Sequence, residues 1–291
     1  MTPSNPHAEF TAAARACAEV LLRRYSTSFA LACRLLAPAT RPHVAAIYAW
    51  ARVADEVVDG AMDDPAAARE LIAEARRRTH GAIARGLDPD PVTHAFAETA
   101  RRFGIGARLV DPFYDSMEAD VEIAVHSRES LGRYIHGSAE VIGEMCLRTF
   151  AGGGLGDDDE LAAGARALGA AFQKVNFLRD VREDSVRLGR NYLPGRDPLA
   201  LTDRDVRELA DEVDADLRLA RVAIDRIPGR DRLAVLAAHD LFAELNVRLR
   251  AAGAAGVSAG RVRVPDPVKL AVIARAAAGG RRALRAAGAA R

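Results

Sequence analysis

The chain has 291 residues, 49% hydrophobic and 28% charged, and its 41 Lys and Arg almost balance its 40 Asp and Glu. This profile excludes disorder, collagen-like repeats and a basic nucleic-acid-binding surface, and it supplies enough apolar mass for one large core. Three cysteines, Cys17, Cys33 and Cys146, form neither an even disulfide framework nor a metal-ligand spacing, which points to a reducing cytosol.

The N-terminus, MTPSNPHAEF, lacks the basic-then-apolar order of a signal peptide, and no apolar run is long enough to span a bilayer. The expectation is a cytoplasmic protein, resting at most on a membrane surface. Alanine and leucine dominate, aromatics are 5%, and β-branched residues seldom cluster, so the fold class expected is all-α. Apolar residues recur at three-and-four spacing over 12–22, 44–58, 66–83, 92–103, 113–123, 131–150, 161–181, 206–227, 232–249 and 268–284, about ten helices. Stop and start signals separate them: Pro38 and Pro42, Asp64-Pro65, Asp88 to Pro91, Asp111-Pro112, Gly152 to Gly154, Pro194 to Pro198, Pro228-Gly229, and Pro265 to Pro267. Thr202 to Asp205 reads as a helix start, with acid near the positive end of the dipole. No interval looks like a flexible linker, so residues 1–291 are expected to form a single domain, with about fifteen peripheral residues at each end by this periodicity.

Two segments place carboxylates inside otherwise apolar helices. In the run from Tyr48 to Gly60, Asp55 and Asp59 lie four residues apart, with Arg52 one turn before. In the run from Gln173 to Asp184, Asn176, Asp180 and Asp184 share a face, with Arg179 beside them. Like charges at this spacing repel, and among apolar neighbours they need a compensating cation. A single such pair is ordinarily a solvated face with arginine partners. Two of them, each beside an arginine, point instead to magnesium, a hard ion shared between carboxylates and a substrate phosphate.

Tyr25 to Phe29, the run from Tyr48 to Asp59, and Gln173 to Asp184 followed by Arg187, Arg190 and Asn191-Tyr192-Leu193-Pro194 resemble the squalene and phytoene synthases, the head-to-head prenyl transferases. The resemblance extends from about Ala18 to Lys269 along the printed sequence. It implies an isoprenoid-synthase helical fold with a central cavity between two Asp-rich helices. It further implies that Asp55, Asp59, Asn176, Asp180 and Asp184 hold Mg2+, with Mn2+ as the alternative ion. The four aspartates are then catalytic, and Ser26, Ser28, Arg52, Gln173, Asn176, Arg179, Arg190 and Tyr192 bind substrate diphosphate. The phrase from Gly137 to Leu147 is most like bacterial phytoene synthases, which implies joining two geranylgeranyl diphosphates to phytoene through a cyclopropyl diphosphate, in carotenoid biosynthesis. No NADPH is expected for that reaction. The alternative is a farnesyl diphosphate-using relative making squalene, presqualene diphosphate or dehydrosqualene. Prenyl diphosphates are the expected partners, with possible peripheral membrane contact and no nucleic acid; oligomeric state is not legible.

Four smaller features complete the reading. His136 stands where many relatives have tyrosine, and either donates to diphosphate or is satisfied by a neighbour. Of Glu118 and Asp120, one reads as a buried partner and the other as a solvated residue, without the sequence saying which. Small residues in the central helices are expected to admit the prenyl chains, and Trp50 and Phe29 to pack in the core. The arginines at 275, 281, 282, 285 and 291 read as a solvated terminal helix, or a face for anionic lipid.

Overall fold

The computed structural model describes residues 5–61 and 64–289, with side chains described as far as residue 278. The side chains of Arg281, Arg282 and Arg285, and the whole of Arg291, therefore lie outside the described part. Helices account for most of it, and the one pairing of extended backbone among the described residues is a bridge between Val125 and Asn191.

The expected helices form, with longer ends. They are α1 (Pro6–Tyr25), α3 (Arg41–Glu56), α4 (Pro65–Arg85), α5 (Pro91–Phe103), α6 (Ala107–Glu122), α9 (Asp159–Val186), α10 (Asp203–Ile224), α11 (Asp231–Ala259) and α12 (Asp266–Ala289). Asn and Asp side chains cap the starts of α1, α4, α5 and α9 by accepting backbone N–H groups, as Asp64, Asp90 and Asp158 do, and Thr202 with Asp205 closes a full capping box on α10. A short helix that the periodicity missed, α2 (Thr27–Cys33), follows α1 after the single residue Ser26, whose hydroxyl accepts from Phe29 N.

Three boundaries differ from expectation. Pro112 does not mark the start of a helix at 113; it sits in the second turn of α6, where its missing N–H leaves one carbonyl unpaired while Leu109, Val110, Phe113, Tyr114 and Met117 are buried around it. The segment 131–150 is not one helix. It divides into α7 (Arg128–Ile135), a π turn at His136–Glu140, and α8 (Val141–Thr149). The cause lies at Gly137, where a Cβ would come within 1.9 Å of the Pro112 carbonyl oxygen, so this backbone rests directly on α6 and widens to fit. A second π turn, Val57–Ala61, continues α3 through Asp59.

The core forms from helix pairs. Helices α9, α10 and α11 enclose Val175, Leu178, Val213, Leu217 and Leu249, while α3, α5, α6 and α8 enclose Ile47, Trp50, Phe96, Phe113 and Met145. Trp50 is a core residue, stacked on Phe96 with ring centroids 4.0 Å apart and donating its indole N–H to Thr79 and Tyr114. Between these two packed halves, α2, α3, α8, α9, α10 and α11 leave a cavity. No described helix is long and apolar enough to cross a membrane.

Candidate active site

The cavity has a volume of about 780 Å³, with an apolar interior and a polar mouth. Phe113, Met117, Leu147, Phe150, Leu161 and Ile227 line the interior; Phe29 does so too, stacked on Tyr48 at 5.7 Å and packed by its other contacts against the core. Gly143 and Gly169 lie on the wall. Their main service is close helix approach, because a Cβ would meet the Ala165 oxygen at 2.3 Å and the Ala139 oxygen at 2.4 Å. The expected small residues of the central helices do line the cavity, and these glycines also let the backbones of α8, α9 and the π turn touch.

Ser26, Ser28, Arg52, Asp55, Gln173, Asn176 and Arg179, drawn from three separate stretches of the chain, all line the same cavity. The geometry of α3 sets the first group. Arg52 pairs with Asp55 one turn on and with Glu56, and its guanidinium lies over the Tyr25 ring at 4.8 Å. Asp59, in the π turn, accepts from Arg190 Nη1 at 2.9 Å, and Arg187 donates to the Asp59 carbonyl. On α9, Arg179 Nε donates to Asp180 at 2.9 Å, and Arg261 from the segment before α12 reaches the same carboxylate at 3.0 Å.

Burial and crowding of like charge dominate the electrostatics. Burial and the neighbouring Asp59 push the Asp55 carboxyl up to about 7 against the pull of Arg52. Burial together with Asp180 and Asp59 brings Asp184 to about 7 as well. Such shifts measure how far the carboxylates fall short of compensating positive charge. Asn176 supplies a further sign, since its Oδ1 is buried and has no hydrogen-bond partner. Oxygen donors of this kind, carboxylates and one free amide oxygen, form the set that a hard divalent ion takes.

Beneath the mouth is a buried layer. Asp120 accepts from the hydroxyls of Tyr134 and Tyr192 and faces Arg190 Nη1 at 3.9 Å, as a buried partner should. Burial still raises its carboxyl to about 6, against Arg190 and the two tyrosines. Burial lowers the Arg190 pKa, but Asp120, Tyr192 and Asp59 together reverse this and hold it firmly charged. Tyr192 does not line the cavity: its hydroxyl is engaged with Asp120, so it supports Arg190 from below. Glu118 pairs with Arg76 at the surface, and His136 is satisfied by Glu140 at 2.9 Å.

Three cavity cations escaped the sequence reading: Arg261, Arg263 and Lys269. Arg261 and Arg263 come from a stretch with no helical period, where alternating Arg and Val before Pro265 is the only signal, and Lys269 from the first turn of α12. Tyr134 also escaped that reading, because the layer it forms with Asp120 depends on α6 and α7 meeting.

Comparison with known proteins agrees with this arrangement. The sequence model described as Squalene/phytoene synthase matches residues 22–267. The chain is 30% identical over 251 residues to a phytoene synthase of Pseudescherichia vulneris, covering 78% of this chain and 80% of that protein. It is 31% identical over 253 residues to a 15-cis-phytoene synthase of a Paracoccus strain, covering 78% and 79%. Among solved structures, a dehydrosqualene synthase in complex with ligand superposes with a TM-score of 0.81 at 20% identity, over 96% of this chain and 100% of that one, which shows a shared isoprenoid-synthase fold. With the all-helical frame and a match through most of its length, the chain belongs to the squalene/phytoene synthase family, enzymes that transfer prenyl groups.

Proposed function

We propose that the protein is a phytoene synthase, condensing two geranylgeranyl diphosphates head to head. The observation that carries the reading is the pair of acidic segments, short of positive charge and joined by the unpartnered Asn176 oxygen, at the mouth of a deep apolar cavity. Phytoene synthases at about 30% identity over most of the chain support the substrate assignment.

In this reading Asp55, Asp59, Asn176, Asp180 and Asp184 hold magnesium. When bound, magnesium neutralises the diphosphate leaving group. Arg52, Arg179 and Arg190, with Arg261 added from the structure, donate to diphosphate oxygens through planar forks that stay charged throughout. Ser26 and Ser28 close on the same group, with Gln173 beside them. The apolar interior keeps water from the allylic cation as the carbon–oxygen bond breaks, and positions the double bond of the second substrate against it. The departing diphosphate, held by the arginines, takes the proton whose loss closes the cyclopropane ring. A second ionisation and rearrangement give the joined chain, with a final proton loss and no hydride donor. Tyr192 and Asp120 hold Arg190 in place. We also read residues 1–291 as one domain, reached by its substrates from a membrane surface.

Incubation with magnesium and geranylgeranyl or farnesyl diphosphate, with and without NADPH, followed by mass spectrometry of the extract, tests the proposal. Phytoene from geranylgeranyl diphosphate without NADPH is expected. A triterpene from farnesyl diphosphate alone would move the protein to the farnesyl-using branch, to which the fold of the dehydrosqualene synthase is also open. No product from either substrate would overturn both.

A further inference from the structure

A second cluster of ligating side chains lies away from the cavity, where the start of α1 crosses α5. His7 comes from the first turn of α1, while His94 and Glu98 share one face of α5 at four-residue spacing. One potential ligand atom from each lies within 4.8 Å of the other two. His7 and His94 meet edge to face, ring centroids 5.5 Å apart, and His7 Nε2 stands 3.7 Å from Glu98 Oε1.

His94 distinguishes this cluster from a chance surface grouping. Its side chain is fully buried, its Nε2 is hydrogen-bonded with Thr11 Oγ1 at 2.9 Å, and its Nδ1 is buried with no partner. A buried ring nitrogen left unpaired costs free energy unless something binds it. With Nε2 engaged by Thr11, Nδ1 is the ring atom left without a partner to ligate. The contact with Thr11 is the outer-shell oxygen that metal-bound imidazoles commonly use to fix their orientation.

We propose that His7, His94 and Glu98 form a transition-metal site of the zinc class that fastens the N-terminal end of α1 to α5. Two imidazoles and one carboxylate select zinc or cobalt over magnesium, and water completes the tetrahedron. The site is remote from the chemistry: His7 and Tyr25 are eighteen residues apart on α1, roughly 27 Å at the helical rise. Its role is to anchor the far end of the helix whose other end delivers Tyr25 and Ser26 to the cavity mouth.

The test is a titration of untagged full-length protein with Co2+ in excess Mg2+, reading the visible absorption of tetrahedral cobalt, followed by displacement with Zn2+. One equivalent is expected to bind. His7→Ala, at an exposed position that tolerates truncation, should weaken binding by more than the ~10–100-fold typical of outer-shell losses, and Thr11→Val by an amount within that range. Zn2+ should raise the melting temperature of the unaltered protein and not of His7→Ala. Asp55→Ala should leave the cobalt spectrum unchanged. Absence of tetrahedral absorption, its persistence in His7→Ala, or its loss in Asp55→Ala would each overturn the proposal, and none of these readings depends on prenyl transfer.

Discussion

The two acidic segments have the same four-residue spacing of aspartates, and the structure supports them differently. On the α3 side, both carboxylates have arginine partners, and the arginine of Asp59 is itself seated on the buried layer of Asp120, Tyr134 and Tyr192. On the α9 side, Asp180 is bracketed by Arg179 and the half-exposed Arg261, while Asp184 has only the more distant pull of Arg190 against three neighbouring carboxylates. One motif is therefore matched carboxylate by carboxylate with arginines, one of them seated on a buried polar layer, and the other leaves Asp184 short of a cation. Identical spacing sets which side chains share a face; the surroundings set their charge.

The broadest way to break this comparison is to remove one aspartate from each side. Asp55→Ala and Asp180→Ala should each lower the rate of prenyl transfer by about 10³-fold or more, the loss of about 4 kcal/mol of transition-state stabilisation, with helix content by circular dichroism unchanged. If only one of the two variants loses activity, the paired arrangement is wrong.

Stability should separate the two sides next. Arg190→Met leaves buried Asp120 and Asp59 without their cation, and urea unfolding should show a loss of about 3–5 kcal/mol. Arg261→Ala removes a half-exposed partner of Asp180 and should cost no more than about 1 kcal/mol, while still raising KM for the diphosphate substrate. Equal losses would mean that the first segment is no more deeply anchored than the second.

A finer measurement concerns pH. The Asp184 carboxyl sits near 7 in the folded protein and near 4 when unfolded, so folding favours its protonated form. Its ionisation costs nothing below about pH 4, costs progressively more as pH rises toward 7, and levels off above that. Without metal, Asp184→Asn should therefore gain on the unaltered protein as pH rises across this window and plateau beyond it, measured by parallel melts. Added magnesium should shrink the difference, since metal binding favours the ionised aspartate. The smallest effect is local: Thr202→Ala opens the capping box of α10 and should cost about 1 kcal/mol with activity unaltered.

Much of this was legible before any coordinates. Helical periodicity with Asp-Pro starts placed most helices, and the residues Asp55, Asp180, Asn176 and Arg52 could be selected because charge among apolar neighbours demands an explanation. The breaks in the helices were less legible. Asp111-Pro112 reads as a helix boundary by local rules, yet burial of five neighbours outweighs the single hydrogen bond that Pro112 loses inside α6. Gly137 reads as an ordinary small residue until the Pro112 carbonyl is found against it. Arg261 and Lys269 carry no pattern of their own and gain meaning only by where α11 and α12 bring them.

By itself the sequence determined the helical class, the two carboxylate faces and the family, because periodicity and spacing act within a few residues along one helix. The tertiary structure decided which arginine serves which aspartate, that Tyr192 supports Arg190 instead of facing the cavity, that glycines on α8 and α9 serve helix contact, and that His7 meets His94. Those outcomes depend on groups far apart in the chain, where burial and Coulomb attraction act through space and leave no trace in local order.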